Sequence, residues 1–283
     1  MKRNWPLSYR MRLNCQPTVY LRSLRKAISP NTSANSPVVT NCLKLRIQSE
    51  KTTSTVSTLL IIFFSLGQGI FLLHIVLPFL LRNQVSNSVI SRRIDPTKIY
   101  LTFDDGPDPI HTPRILDILS THGVKGTFFV LGELAERHPD ILKRIQAEGH
   151  AIGSHSFHHS HAWKTNPWTS FRDFHRGHKA IVRQNISTNL WRPPYGKANL
   201  LTLAYSLINK LDLIYWTNDP QDYSPNLDQS QLTNRLLKNP NPGDIILLHD
   251  GRRTQLPSEN ITPGALACFL SETSLNKADF TTI

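Results

Sequence analysis

Ile99-Tyr100-Leu101-Thr102-Phe103-Asp104-Asp105-Gly106-Pro107 is a short apolar strand that runs directly into two adjacent carboxylates and a forced turn. Ile99, Tyr100, Leu101 and Phe103 suit a buried strand, and Gly106-Pro107 stops it. Neighbouring aspartates repel each other and give up hydration, so a fold tolerates them mainly where a cation or proton chemistry compensates. The pattern recurs along the chain. Ala151-Ile152-Gly153 leads into His155-Ser156-Phe157-His158-His159, Leu213-Ile214-Tyr215 leads towards Asp219 and Asp222, and Ile245-Ile246-Leu247-Leu248 delivers His249. Polar residues that repeatedly close apolar strands point to an α/β barrel, whose active site gathers at the C-terminal ends of its strands. Amphipathic stretches at 113–120, 140–148 and 171–184 alternate with these strands, as an α/β fold requires.

His155 and His159 are four residues apart, so one tight turn can bring both imidazoles to a point. With Asp105 they make a two-histidine, one-carboxylate set that leaves coordination positions open, as a catalytic rather than a structural ion requires. His158 competes by spacing and His161 more weakly. Trp191-Arg192-Pro193-Pro194-Tyr195-Gly196 stiffens the backbone around an arginine. Taken singly, Arg192 reads as an ion-pair residue and His249 as a core histidine. Either Asp219 or Asp222 could partner His249 or Arg192.

In order, TFDDGP at 102–107, HSFHH at 155–159, RPPYG at 192–196, DPQDY at 219–223 and LLHD at 247–250 resemble the NodB-type polysaccharide deacetylases, carbohydrate esterase family four. The resemblance runs from about 98 to 283. It implies a distorted (β/α)7 barrel and a metal-dependent hydrolase that removes N-acetyl groups from an envelope polysaccharide, such as the N-acetylglucosamine of peptidoglycan or a chitin-like chain. Asp105, His155 and His159 would hold a divalent cation, zinc first, with cobalt, nickel or iron also suiting the set. Asp104 would be the general base, with Arg192 keeping it ionised. His249 would be the general acid, tuned by Asp222 in preference to Asp219. The Tyr195 backbone N–H would face the oxyanion, and Leu247 and Tyr223 would wall the acetyl methyl. Tyr223 stands where the family usually carries Trp. Asp250 is expected to serve a structural turn. An O-acetyl esterase of xylan type is the alternative, because an alkoxide leaves more easily than an amine. A third reading, an inactive membrane-tethered glycan-binding protein, is opposed by the intact Asp104, Asp105, His155, His159, Arg192 and His249.

The formal charge is +12, of which +9 lies in residues 1–58. A basic excess placed just before an apolar segment speaks for membrane orientation, and nucleic acid is not expected as a partner. Residues 59–81 are 23 in number and carry no formal charge. At about 1.5 Å per residue they can cross a hydrocarbon core of about 30 Å. The expectation is therefore an uncleaved single-span anchor contacting membrane lipid through 59–81, with a cytoplasmic N-terminus and a periplasmic or extracellular catalytic domain. Residues 1–58 are expected to be a disordered leader, 82–97 a linker, and 98–283 the catalytic domain. Beyond polysaccharide and lipid, no obligate protein partner is expected. Cys15 and Cys42 fall in the leader and Cys268 stands alone, expected as a small buried apolar residue.

Overall fold

The computed structural model describes residues 37–81, 84, 93–238, 240–251 and 260–283, and it divides at Gly67 into two units. Residues 1–36 and most of the expected linker lie outside the described residues. Helix α1 (Pro37–Phe71), most of it in the first unit, extends through the part of the leader expected to be disordered. The physical reason is that no Gly or Pro interrupts residues 38–66, and a helix once nucleated gains a hydrogen bond for each residue added. Thr55–Leu81 contains an 18-residue window with a mean hydropathy of 2.3 and is the one described helix long and apolar enough to cross a membrane.

The second unit is a parallel α/β fold. Its strands are β1 (Tyr100–Asp104), β2 (Thr127–Val130), β3 (Ala151–Ser154), β4 (Leu190–Trp191), β5 (Asp212–Leu213) and β6 (Ile245–His249), in the order β5-β4-β3-β2-β1-β6. Between them run α2 (His111–His122), α3 (Gly132–Arg137), α4 (Pro139–Ala147), α5 (Pro167–Val182), α6 (Leu200–Ile208) and α7 (Gln229–Lys238), with α8 (Thr262–Glu272) after β6. The three amphipathic stretches expected to be helical correspond to α2, α4 and α5.

Six strands form the sheet where seven β/α units were expected. The seventh place is taken by the chain after β5, which reaches only a single parallel bridge, Asn218 to Ile246. There the Thr217 hydroxyl takes over ladder duty, accepting the Ile245 N–H at 2.9 Å, and the following Asp219-Pro220 cannot continue a strand. That bridge also fixes the curvature. β5 and the Asn218 segment flank opposite edges of the six-stranded order, about 29 Å apart if the sheet were flat, at about 4.8 Å per spacing. Five residues from Leu213 to Asn218 can span only about 18 Å, so the sheet must curl into an open barrel.

The parity of each strand decides which side chains face the barrel axis. Leu101, Phe103, Phe128, Ile246 and Leu248 pack outward with Ile115, Leu116, Leu119 and Phe269 of the surrounding helices. Tyr100, Phe129 and Ile245 form a separate inner cluster. Asp104 shares the parity of Tyr100, and His249 that of Ile245, so both are carried to the inside. Cys268 in α8 is half-buried, more open than expected.

His150 supplies a pH-dependent element of this core. Its buried Nδ1 accepts the Gly126 N–H at 3.1 Å, and its ring meets Phe128 edge-on. Burial, with a smaller push from Lys125, lowers its pKa from 6.5 to about 4. A proton on Nδ1 would set two donors against each other. The unfolded chain takes up that proton more readily, so stability is full above pH about 6.5 and falls as pH drops towards 4, by up to about 3 kcal/mol. Urea midpoints across this range should show the slope in the native protein and a shallower one in His150→Gln; equal slopes would remove His150 as its source.

Candidate active site

The register of β1 and β6 sets Asp104 directly opposite His249, at the C-terminal ends of two central strands. Beside them, the His155 N–H continues the ladder to the Val130 carbonyl, and the Arg192 N–H continues it to the Ser154 carbonyl at 2.9 Å. Parallel strands ending at one level thus bring Asp104, Asp105, His155, Arg192 and His249 together, although they are spread over 146 sequence positions.

The two aspartates face different partners. Asp104 Oδ1 accepts from Arg192 Nη1 at 2.8 Å, and both side chains are buried. Arg192 has no exposed surface; Nη1 also donates to Thr102 Oγ1 at 2.8 Å, and the guanidinium lies over the Phe129 ring. Burial pushes the Asp104 pKa above the ordinary carboxylate value, and the Arg192 charge works against that rise. Asp105 Oδ1 instead lies 3.1 Å from His159 Nε2 and 3.5 Å from His155 Nε2. One ligand atom from each of these three residues falls within 4.8 Å of the others, a span that suits one cation. His155 Nδ1 sits 2.8 Å from the Arg192 carbonyl, which fixes that nitrogen as the donor and turns Nε2 towards Asp105.

His158, the rival ligand, turns away: its Nδ1 lies 3.0 Å from Glu133 Oε2 at the surface. His161 packs on Tyr195, with ring centroids 4.9 Å apart. The aspartate ambiguity also resolves geometrically. Asp222 Oδ1 is 2.7 Å from His249 Nδ1, and its Oδ2 accepts the His249 N–H and the Thr262 hydroxyl. Burial alone would lower the His249 pKa, but Asp222 outweighs it, with Asp105 and Asp104 adding, and the ring is raised to about 10. Asp219 accepts the Tyr223 hydroxyl at 3.0 Å instead. Tyr223 stands edge-on to His249 at the surface, Leu247 is buried two residues before His249, and Tyr195 is half-exposed with its ring against His159.

Three features escaped the sequence reading. Asp173 on α5 is buried and accepts the backbone N–H groups of His158 and Ser160, holding the histidine turn in place. Its only sequence signal is an acid on the apolar side of a helix. Asp250, expected in a structural turn, is fully buried, accepts the Thr112 hydroxyl at 2.6 Å, and is raised to about 7 by burial with Asp105 and Asp104 adding. The backbone is also unusual here. Asp105, Ser156, His159 and Tyr195 all have positive φ without being glycine, a conformation costing about 1–2 kcal/mol each. Gly251 must be glycine, since a Cβ there would run into the Asp105 backbone. Residues 252–259, which follow Gly251, lie outside the described residues.

A cation-sized ligand set beside a buried ion pair and an Asp–His dyad, all at the C-terminal rim of a parallel barrel, is an α/β-barrel site equipped for proton transfer of the kind hydrolysis needs. Comparison with known proteins narrows this. The polysaccharide deacetylase family model matches residues 92–213. A peptidoglycan-N-acetylglucosamine deacetylase of Bacillus cereus is 34% identical over 187 residues, covering 65% of this chain and 85% of the relative. A chitooligosaccharide deacetylase of Rhizobium leguminosarum bv. trifolii is 38% identical over 161 residues, 56% of this chain and 73% of the relative. Among solved structures, the Bc1960 peptidoglycan N-acetylglucosamine deacetylase, in complex with a substituted N-oxidanyl-benzamide, superposes with a TM-score of 0.59 at 33% identity, over 66% of this chain and 86% of that one. The chain belongs to the polysaccharide deacetylase family and is a hydrolase.

Proposed function

We propose that this deacetylase removes N-acetyl groups from an N-acetylglucosamine-type envelope polysaccharide with the help of one divalent cation, zinc first, held by Asp105, His155 and His159. The observation that carries this is the division of labour between adjacent aspartates: Asp105 converges with two imidazoles while Asp104 is bound to a buried arginine. When bound, the ion polarises the acetyl carbonyl and makes water more acidic.

The chain's own residues supply the remaining proton transfers. Asp104, kept anionic by Arg192, takes a proton from the attacking water as the new C–O bond forms. The Tyr195 N–H donates to the developing oxyanion. His249, protonated through its pairing with Asp222, gives its proton to the sugar nitrogen as the C–N bond breaks. Leu247 and Tyr223 wall the acetyl methyl, with Asp219 anchoring the Tyr223 phenol. The products are acetate and a free amine.

Arg192→Lys keeps the charge but loses the planar group whose Nη1 reaches Asp104 and Thr102 while Nε and Nη2 donate to the Ile214 and Tyr215 carbonyls. A charge-assisted hydrogen bond contributes about 1.5–3 kcal/mol, so kcat should fall about 10- to 100-fold with the bound metal unchanged. Loss of metal instead would make Arg192 part of the ligand scaffold.

Thr55–Leu81 supports a single-span anchor, and the basic excess before it supports a cytoplasmic N-terminus with the catalytic unit across the membrane. The test of the substrate class is acetate release by the full chain in detergent from N-acetylglucosamine oligomers, peptidoglycan and acetylated xylan. Release from the two amide substrates is expected. Release from xylan alone would make the protein an O-acetyl esterase, and release from none would contradict both.

A further inference from the structure

Helix α6 is apolar on both faces. Leu203 and Ser206 are buried against the barrel, but the outward side carries Leu201, Ala204, Leu207 and Ile208, with Leu207 60% and Ile208 80% exposed. A surface helix ordinarily turns polar residues outward, so a contiguous apolar face of this kind calls for an apolar cover. The patch continues onto α5. Tyr205 packs on Phe171, and Phe171 on Trp168, which is 59% exposed. Exposed Lys210 follows immediately.

What lies beside α6 identifies the cover. The turn Leu72–Val76, inside the apolar stretch that ends at Leu81, packs against α6. Phe79 meets Trp163 edge-on at 6.0 Å, and Trp163 Nε1 donates to the Ala198 carbonyl just before α6. Leu72–Val76 lies five to nine residues before Leu81, about 8–13 Å along a helix axis. That is close to the depth, about 5–10 Å, at which interfacial helices bury their apolar faces. Trp, Tyr and Lys beside such a face are the residues that favour the headgroup level.

We propose that the outward face of α6, with Trp168 at its border, inserts into the outer surface of the bilayer beside the anchor and holds the catalytic unit against the membrane by one wall. This rests on the reading of 59–81 as a membrane anchor. The test is a bimane label on the full chain in phospholipid vesicles, with Cys15, Cys42 and Cys268 replaced by Ser. The label is placed by Ile208→Cys, by Ser120→Cys on α2 as a water-facing control, or by Ile70→Cys in the apolar helix. Acetate release from a soluble oligomer verifies that each variant is folded. Quenching of the 208 label by at least half with a doxyl lipid near the headgroups, but not with iodide, is the expected result, with the reverse at 120. A 208 label quenched by iodide alone would put the face in water and overturn the proposal. A 208 label shielded from both would mean a protein cover and overturn it equally. The label at 70, midway along 59–81, is read with a doxyl group placed deep in the acyl chains and separates the two readings: if the headgroup quencher acts on 208 but the deep quencher leaves 70 unchanged, the anchor reading fails and the docked face stands.

Discussion

Asp104→Asn should lower acetate release by about 10²–10⁴-fold while leaving the metal site loaded. The range is what a positioned general base contributes. The substitution keeps size and shape, so it removes only the proton-accepting charge. The proposed ligands Asp105, His155 and His159 are untouched by it, and His155 remains fixed through the Arg192 carbonyl. A second effect accompanies the first. Arg192 is fully buried with Asp104 as its acidic partner, and an uncompensated buried charge costs about 3–5 kcal/mol. The variant should therefore also unfold at lower temperature, and kcat must be measured well below its midpoint. Metal content by mass spectrometry and acetate release on the same sample decide the matter. Activity within tenfold of the native chain, with metal bound, would take the base role away from Asp104.

His249→Ala should cost about 10²–10⁴-fold on an N-acetyl substrate and much less on an O-acetyl ester, because an amine needs its proton to leave and an alkoxide needs it less. The pH profile carries independent information. Asp222 raises the His249 pKa to about 10, and the proposed acid would act in its protonated form. Activity is therefore retained through neutrality and lost as pH rises through the His249 value. Asp222→Asn removes the largest influence raising that value, so the alkaline limb of kcat should move down towards neutrality. An unmoved limb would assign it to some other group.

Much of this site was legible because its parts are strand ends. β1 and β6 are continuous apolar runs, and the residue at which each run meets polarity is the residue the barrel presents inward. The histidine turn was legible from the four-residue spacing of His155 and His159. The strand count was harder to read. β4 and β5 are two residues each, too short for any periodicity, and the expected seventh strand shrinks to the one bridge at Asn218, where the Thr217 hydroxyl takes the place of a backbone acceptor. The choice of Asp222 over Asp219 rested on resemblance, since both sit within four residues; the pairing depends on Thr262, forty positions later, which accompanies His249 on the Asp222 carboxylate. Asp173 was invisible for the same reason. A helical acid shows no sign in sequence of the turn it will hold. The helical leader at 37–58 reflects continuity from an apolar neighbour, which composition alone does not reveal.

The measurement closest to the central claim is a zinc titration of the metal-stripped full chain, following bound metal and acetate release from an N-acetylglucosamine oligomer together. Activity should be absent in the stripped protein, rise with the first equivalent and level off at one zinc per chain, and Asp105→Ala should show neither tight binding nor release. Full acetate release by the stripped chain, or an Asp105→Ala variant that binds zinc and works like the native protein, would contradict it.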